Sequence, residues 1–299
     1  MQEQGAGVVD DVPRVSVDDL TVVIVTYNSA HCIPALAAGL RGVARVIVVD
    51  NASDDDTVAR VHAEITHAEV VPLPANLGFG AANNRALRQV TTRYALLLNP
   101  DCLPDAAFFA GITQAAVRFP DAAILAPHLL RRNGDVELSY RWPATHWDAR
   151  GPQAVGPCSV GFVCGAVMLV NLHAMQGVGF FDETFFLYYE DEDLCQRVFL
   201  AQRGIVLVPD VAIVHLSRGS VRGRSPLRSE YLRGYPHAQS KLVFERKYFG
   251  ELATSALRRK TLALAVLTLV ARLLVPQPRY LARLIGRIVG LVHADARAV

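Results

Sequence analysis

The first 217 residues of this 299-residue chain contain no lysine, and this absence accompanies a strong division of charge. They hold 14 arginines against 24 acidic residues, whereas residues 218–299 hold 16 basic residues against 4 acidic ones. The two parts therefore carry formal net charges of −10 and +12. An acidic body with a basic C-terminal third suggests an anionic partner for that third. Nucleic acid, anionic lipid and pyrophosphate are the candidates.

Three further features are missing: cysteines at metal-ligand spacing, a glycine-rich nucleotide-binding motif and a secretory signal. The five cysteines are odd in number and lack metal-ligand spacing, so we interpret them as reduced thiols of a cytosolic protein. No G-x-G-x-x-G follows the first predicted strand, and no Walker-type G-K-[ST] occurs. A bound nucleotide is therefore expected to be held by loop side chains and a cation. No secretory signal is recognisable in residues 1–19, which are predicted to form a flexible tail.

Four apolar runs alternate with predicted helices in the first hundred residues. Thr21–Thr26, Arg45–Asp50, Val70–Pro72 and Leu96–Leu98 are rich in β-branched residues or leucine and predict strands. Because strand and helix alternate over short loops, the pattern predicts an α/β fold with a mostly parallel sheet flanked by helices. Polar residues at the ends of these strands are then expected to meet at one edge of the sheet, where such folds bind ligands.

Asp101 follows the fourth run directly. Pro100 cannot donate to a sheet ladder, so the strand is expected to stop there and to leave Asp101 just beyond its carboxyl end. Two interpretations remain open at this point. Asp101 is either a metal ligand at the binding edge or the cap of the next helix, whose start Pro104 indicates.

Four consecutive acids, Glu190 to Asp193, follow an aromatic run and begin a predicted helix. The helix dipole favours acids at this position, but four exceed that need, so one carboxylate is a candidate general base. Spacing alone does not identify which one. His215, at the end of a later apolar run, is either a metal ligand or a hydrogen-bonded surface residue. Trp142 and Trp147 either stack on a sugar ring or pack a long connection over residues 131–158.

Taken together, these residues resemble the inverting family 2 glycosyltransferases of GT-A fold, and most of all the bacterial rhamnosyltransferases. The resemblance covers residues 20–250. Its supporting blocks are Val25–Asn28, Asp50–Asp54, Asn76–Gly80 with Asn83 and Asn84, Asn99–Asp101, Phe181–Glu183 with Glu190–Leu194, and His215 with Gly219 and Ser220.

The resemblance implies a role for each matching residue. The donor nucleotide would contact Thr26, Tyr27, Asn28, Asp50, Asn51, Asn76, Gly78 and Asn99. Asp101 and His215 would bind a divalent cation, Mg²⁺ or Mn²⁺, and Asp191 would be the general base. Glu190, Asp193 and Trp142 would support the site or contact the acceptor. Asn99 stands where the family has the first Asp of its D-x-D motif, so the cation affinity is expected to be modest.

The function implied is transfer of a sugar, with L-rhamnose from dTDP-rhamnose as the first candidate, to a hydroxyl of a cell-surface glycan or lipid-linked acceptor. A UDP-hexose donor is the alternative within the same fold. A non-catalytic nucleotide- or glycan-binding protein is the alternative of another class. A nucleic-acid partner is disfavoured, because no recognition motif accompanies the basic residues.

Residues 251–299 lie beyond the resemblance and are predicted to form a basic amphipathic helical segment. The apolar run Leu262–Ala271 is too short to span a membrane. Arg279, Arg283 and Arg287 recur at every fourth position among aliphatic residues. This pattern favours attachment to the inner face of the cytoplasmic membrane. A helix that packs on the catalytic domain, or on a second copy in a homodimer, is the alternative.

Overall fold

The computed structural model of the chain describes residues 15–142, 153–216, 225–274 and 277–293. Strand and helix alternate first as β1 (Leu20–Thr26), α1 (Ile33–Gly39), β2 (Val46–Asp50), α2 (Thr57–Glu64), β3 (Glu69–Pro72), α3 (Phe79–Leu87) and β4 (Tyr94–Leu98). The next elements are β5 (Cys102–Leu103), α4 (Ala106–Arg118), β6 (Ala122–Leu130), β7 (Val136–Glu137), β8 (Tyr140–Arg141), β9 (Cys158–Ser159), β10 (Phe162–Val163) and β11 (Val167–Asn171). The last are α5 (Glu190–Leu200), β12 (Gly204–His215), α6 (Pro226–Leu274) and α7 (Pro278–Val292). Trp147, Gly219, Ser220 and residues 1–14 and 294–299 lie outside the described residues.

Within the described residues the main sheet has ten strands, in the order β3-β2-β1-β4-β11-β6-β12-β5 with β7 and β9 paired beside β6 and β12. Strands β1 to β4 are parallel, and so are β6 and β12. Strand β11 runs antiparallel to both of its neighbours, β4 and β6. The predicted α/β fold with helices around a central sheet is confirmed, and its second half is mixed rather than parallel.

Helices cover both faces of this sheet, which explains why its strands read as continuous apolar runs. In β1, Val22 and Ile24 point into a core shared with α1 and α4, whereas Val23 points into the opposite core shared with α3 and α5. Each strand residue therefore needs an apolar side chain, whichever face it occupies.

The parallel strands end together at one edge of the sheet. Thr26 of β1 pairs with Asp50 of β2, which pairs in turn with Pro72 of β3. The chain winds outward through β2 and β3 and then returns to place β4 on the other side of β1. The loops after β1 and β4 therefore diverge and leave a crevice between them, which is the usual ligand position in such folds.

Several element boundaries differ from those expected. Residues 162–170 are a largely apolar run that predicts one strand, but they form two, β10 and β11, because the chain turns at residues 164–166. The two apolar runs at 205–208 and 212–214 form one strand, β12, whose register shifts between Val208 and Ala212. Residues 131–158, expected to lack regular structure, contain β7, β8 and the start of β9 in their described part.

The start of the described chain is also more ordered than expected. Val17–Asp19 forms a 3₁₀ turn whose first backbone N–H groups are capped reciprocally by Ser16 and Asp19. Val15 and Val17 pack against the core beneath β1. Residues 15–19 fell within the predicted flexible tail, yet they are held by these contacts.

The C-terminal segment folds back on itself. Gly250 has φ 82° and kinks α6, which divides it into residues 226–249 and 251–274. Helix α7 packs against the first of these halves through glycines: a Cβ atom on Gly286 would collide with the carbonyl oxygen of Tyr231, and one on Gly290 with that of Tyr235. None of the described helices is long and apolar enough to cross a membrane.

Candidate active site

Two loops at the crevice are joined by the carboxylate of Asp50. It accepts hydrogen bonds from the hydroxyls of Thr26 (2.9 Å) and Ser53 (2.6 Å) and from the backbone N–H of Ser53 (2.9 Å). Thr26 and Asp50 are both buried, so they hold the loops in place from below. Tyr27 and Asn28 are partly exposed above them. The side-chain oxygen of Asn28 accepts a hydrogen bond from the backbone N–H of Asp54 at 2.9 Å, which joins the loop after β1 to the loop after β2.

The loop after β3 is held by a pair of asparagines. The Asn51 side chain donates to Oδ1 of Asn76 at 3.0 Å and to the carbonyl of Gly78 at 3.1 Å, and it accepts from the backbone N–H of Leu77 at 2.8 Å. Gly78 has φ 92°, and a Cβ atom there would collide with the carbonyl oxygen of Phe186. Only glycine fits this close approach. The predicted donor-binding residues Asn51, Asn76 and Gly78 thus form one structural unit beside Asp50.

Asp101 is buried, with 1% of its surface exposed, and the structure excludes one of its two interpretations. The cap of α4 is Asp105, whose side chain accepts from the backbone N–H of Phe108 at 2.7 Å. Asp101 is therefore not that cap. Its Oδ1 lies 3.5 Å from Nε2 of His215 instead, because β5 pairs with the end of β12.

His215 lies between two carboxylates. Its Nε2 faces Asp101, and its Nδ1 lies 3.6 Å from Oε2 of Glu137. Burial alone would lower the pKa of His215, but the two carboxylates outweigh burial and raise the pKa above its ordinary value. Glu137 was not singled out in the sequence, because it lies in a stretch without clear periodicity.

The donor set of this cluster suits a hard divalent cation. One ligand atom from each of Asp101, Cys102 and His215 lies within 4.8 Å of the others. Burial raises the pKa of the Cys102 thiol well above its usual range, and the thiol contacts the carbonyl of Ala166 at 3.8 Å. Mg²⁺ and Mn²⁺ favour oxygen and imidazole donors over a neutral thiol. Asp101 and His215 are thus the residues that fit such a cation.

The four acids at the start of α5 have separate environments. Glu192 pairs with Arg141 through two contacts of 2.6 and 2.8 Å. Asp193 is fully buried and pairs with Arg197 (2.8 Å), Lys247 (2.6 Å) and the hydroxyl of Tyr248 (2.8 Å). Both carboxylates are therefore committed to structural contacts, and Asp193 joins α5 to α6.

Asp191 and Glu190 differ from these two because no basic side chain pairs with them at hydrogen-bond distance in the described residues. Asp191 accepts from the backbone N–H groups of Gly165 (3.0 Å) and Glu192 (2.9 Å). Burial raises the pKa of Asp191, and burial together with the charge of Asp191 raises the pKa of Glu190 well above its usual value. The two tyrosines that precede them, Tyr188 and Tyr189, have φ 69° and 67°, which is the left-handed region that residues other than glycine seldom adopt.

One short turn connects the two halves of this site. In the turn at residues 164–166 the backbone N–H of Gly165 donates to Asp191, and the carbonyl of Ala166 accepts from the backbone N–H of Asn99 at 2.9 Å. The acidic helix start and the loop that carries Asp101 are therefore held by adjacent peptide groups. Gly165 was noted in the sequence only as a small residue.

Trp142 occupies a different position. It is 38% exposed and packs edge-on against the ring of Tyr140, with ring centres 5.7 Å apart. With Arg141, Phe162 and Glu192 it lines a shallow depression at the outer side of α5.

The sequence of the chain matches the model of a known protein family. The family model described as glycosyl transferase family 2 matches residues 21–176. This stretch includes Asp50, Asn99 and Asp101, whereas Asp191 and His215 lie after it.

Two curated relatives are similar over most of the domain. An N-acetylglucosaminyl-diphospho-decaprenol L-rhamnosyltransferase of Mycobacterium tuberculosis is 29% identical over 244 residues, which are 70% of this chain and 79% of the relative. A low-salt glycan biosynthesis hexosyltransferase of Haloferax volcanii is 27% identical over 202 residues, 62% of this chain and 63% of the relative.

Among solved structures, a mannosyltransferase of Pyrobaculum calidifontis in complex with GDP-mannose and Mn²⁺ superposes with a TM-score of 0.56 at 17% identity. The match covers 97% of this chain and 91% of that one. At this identity the likeness concerns the fold alone, and the predicted GT-A fold is confirmed.

Proposed function

Because the chain belongs to glycosyl transferase family 2 and is a glycosyltransferase, we propose that it transfers L-rhamnose from dTDP-rhamnose to a hydroxyl of a lipid-linked or polysaccharide glycan. The observation that carries the proposal is the turn at 164–166. It holds the carboxylate of Asp191 on one side and the loop bearing Asp101 on the other. This arrangement supports a role for Asp191 as proton acceptor and for Asp101 in binding the diphosphate through a cation.

Asp191 is the general base in this proposal. Its two backbone hydrogen bonds fix the carboxylate, and its raised pKa increases its affinity for the proton that the acceptor hydroxyl loses on attack. The hydroxyl oxygen displaces the nucleoside diphosphate in one step from the opposite side, so the anomeric carbon inverts. No second carboxylate nucleophile is needed, in keeping with the pairing of Glu192 and Asp193 to basic residues.

In this proposal the donor nucleotide lies along the loops after β1, β2, β3 and β4. Tyr27, Asn28, Asn76 and Asn99 are partly exposed and offer ring and amide contacts to a base and ribose. The buried Asn51 holds Asn76 through a hydrogen bond of 3.0 Å, and the backbone N–H of Asn99 donates to the carbonyl of Ala166. A divalent cation held by Asp101 and His215 supplies positive charge beside the departing diphosphate. With Asn99 in place of a carboxylate, the protein contributes less negative charge to that cation.

The choice of donor and acceptor rests on the relatives. The Mycobacterium relative is named for rhamnose transfer to N-acetylglucosaminyl-diphospho-decaprenol, and 79% of it is matched. The Haloferax relative is named as a hexosyltransferase, which supports transfer of another hexose, and a UDP-hexose donor is the second candidate. Of the two, the rhamnosyl donor is favoured by the higher identity and the longer match.

A lipid-linked acceptor requires the enzyme to work at a membrane surface, and the C-terminal segment fits that position. Residues 252–294 contain seven basic residues and no acidic one. In the second half of α6, large side chains stand exposed, among them Leu264 (55%), Leu267 (66%), Val270 (60%) and Leu273 (64%). We infer that this apolar face enters the headgroup region of an anionic bilayer on its cytoplasmic side while the flanking arginines bind lipid phosphates.

A donor panel tests the proposed function. The purified full-length protein is incubated with dTDP-rhamnose, UDP-glucose, UDP-N-acetylglucosamine or GDP-mannose and a polyprenyl-diphosphate-linked N-acetylglucosamine acceptor, with Mg²⁺, Mn²⁺ or EDTA. We expect product by mass spectrometry with dTDP-rhamnose and a divalent cation. Turnover of a UDP-sugar alone would replace the rhamnose assignment by the second candidate. Full activity in EDTA would contradict the cation site.

A further inference from the structure

The hairpin β6–β7 brings a carboxylate to the far side of His215. After β6 the chain turns at Gly134, which has φ 87°, and returns as β7, so that Glu137 pairs with Leu129. Leu129 pairs on its other side with Ile213 of β12. Because side chains on one face recur every second residue, Glu137, Ile213 and His215 all project to the same face of the sheet. The register therefore directs Glu137 toward the imidazole.

The imidazole is oriented by its two neighbours. Nε2 lies 3.5 Å from Oδ1 of Asp101, and Nδ1 lies 3.6 Å from Oε2 of Glu137. The His215 side chain is only 12% exposed, so its ring has little freedom to turn. The Glu137 side chain is 31% exposed and can shift the few tenths of an ångström that separate this contact from a hydrogen bond.

We propose that Glu137 is a positioning residue that accepts a hydrogen bond from Nδ1–H of His215 and so leaves the Nε2 lone pair directed at the cation beside Asp101. This inference rests on the proposed cation site. A histidine that ligates a metal through one nitrogen commonly donates its other N–H to a carboxylate, which sets the tautomer and the ring orientation. Glu137 does not touch the donor sugar or the acceptor in this arrangement.

The hairpin offers a matched control. Asp135 lies two residues before Glu137, is exposed, and accepts a hydrogen bond from the side chain of Asn133 at 2.7 Å. Its removal takes the same charge from the same hairpin without touching the imidazole. Glu137→Gln is the conservative variant, because its amide oxygen can still accept a hydrogen bond from Nδ1–H.

Two measurements on the full-length protein test the proposal. Mn²⁺ binding is followed by electron paramagnetic resonance, with the metal alone and with dTDP present. Glu137→Ala is expected to weaken Mn²⁺ binding by about 10- to 100-fold. Glu137→Gln should fall between it and the wild type, and Asp135→Ala should bind as the wild type does. In nitrogen-15 NMR of metal-free, histidine-labelled protein, at a pH high enough for the ring to be neutral, the Nδ1–H tautomer of His215 should dominate in the wild type and be lost in Glu137→Ala.

The outcomes separate this inference from the proposed function. If Glu137→Ala binds Mn²⁺ as tightly as the wild type and keeps the same tautomer, the positioning role is wrong while the cation site stands. If the wild type binds no Mn²⁺ but its tautomer changes in Glu137→Ala, Glu137 orients the ring and the cation site itself is overturned. A weakening equal to that of Asp135→Ala assigns the effect to hairpin charge and contradicts the proposal.

Discussion

The backbone N–H of Gly165 donates a 3.0 Å hydrogen bond to Oδ2 of Asp191. Gly165 belongs to the turn between β10 and β11, whereas Asp191 lies in the first turn of α5. This contact distinguishes Asp191 from its acidic neighbours, because it fixes a carboxylate through uncharged donors. Glu192, by contrast, is held by the charged guanidinium of Arg141 through contacts of 2.6 and 2.8 Å.

Replacing Asp191 by Asn should abolish transfer while donor binding survives. The amide cannot accept a proton at neutral pH, so kcat is expected to fall by about 10²- to 10⁴-fold. Binding of dTDP with Mn²⁺, measured by calorimetry, should stay within about twofold of the wild type, because Asp191 does not contact the nucleotide in the proposed arrangement.

The pH dependence of kcat/KM in the wild type tests the same role of Asp191. Since burial raises the pKa of Asp191, kcat/KM should decline on the acid side as the base becomes protonated at a pH above the ordinary carboxyl range. An Asp191→Asn enzyme that turns over at the wild-type rate would remove Asp191 from the mechanism.

Gly165→Ala should displace the base without affecting the nucleotide. A Cβ atom at this position would lie 3.2 Å from Cβ of Asp191 and 3.4 Å from a ring carbon of Phe79. We expect kcat to fall about 10-fold or more, because a small displacement of a catalytic group lowers the reaction rate strongly. Gly156→Ala is the matched control, since nothing lies within 4 Å of its added Cβ. Equal kcat values for the two variants would contradict the positioning role of the turn.

Glu190→Gln should stabilise the protein, and the gain should grow with pH. Glu190 is 5% exposed, and burial and the Asp191 charge raise its pKa well above the usual value. The folded state therefore binds the proton more tightly than the unfolded state. The stability that protonated Glu190 contributes is fully present below its unfolded-state pKa, and this contribution is lost as pH rises through its folded-state pKa. The neutral amide escapes this loss, and each kcal/mol gained raises Tm by about 2–4 °C in a domain of this size.

The measurement is Tm by scanning fluorimetry from pH 5 to pH 9 for wild type and variant. Glu192→Gln serves as a contrast of opposite sign, because it breaks the two-contact pair with Arg141 and should lower Tm. A Tm difference between Glu190→Gln and wild type that is the same at every pH would show that the ionisation of Glu190 is not its cause.

The apolar face of the C-terminal segment should govern membrane attachment. Full-length protein is expected to float with phosphatidylglycerol liposomes and less with phosphatidylcholine liposomes, since residues 252–294 carry only positive charge. The double variant Leu267→Glu, Val270→Glu should lose about tenfold or more in the bound fraction, because it places two acids on the inserted face. Leu200→Glu, at a 61% exposed leucine of α5, is the control and should float as the wild type does.

A homodimer is the competing use of this face. If the double variant floats unchanged but elutes as a smaller particle than the wild type in size-exclusion chromatography, the face is a contact between two copies and the membrane proposal is wrong. Flotation of wild type and variant to the same extent with both lipids would also contradict it.

Local features of the chain were enough to predict most of the sheet. The apolar runs of β1, β2 and β4, and the proline that follows β4, predicted the strands and placed Asp101 at the binding edge. Strand and helix periodicity depend on residues a few positions apart, and the sequence contains that information directly. The acidic start of α5 and the basic C-terminal segment were visible for the same reason.

The tertiary structure alone decided which polar residues meet. The sequence suggests no partner for Glu137, Gly165 or Tyr248, because each contacts an element that is distant along the chain: His215, Asp191 and Asp193 respectively. The resemblance assigned Asp101 and His215 to one cation, but only the pairing of β5 with β12 shows that the two residues are neighbours. The packing of α7 on residues 226–249 requires glycines because the two helix backbones approach too closely for a Cβ atom, and this approach is visible only in the tertiary structure. Local periodicity reports which face of an element is buried, but sheet register and helix packing determine what that face contacts.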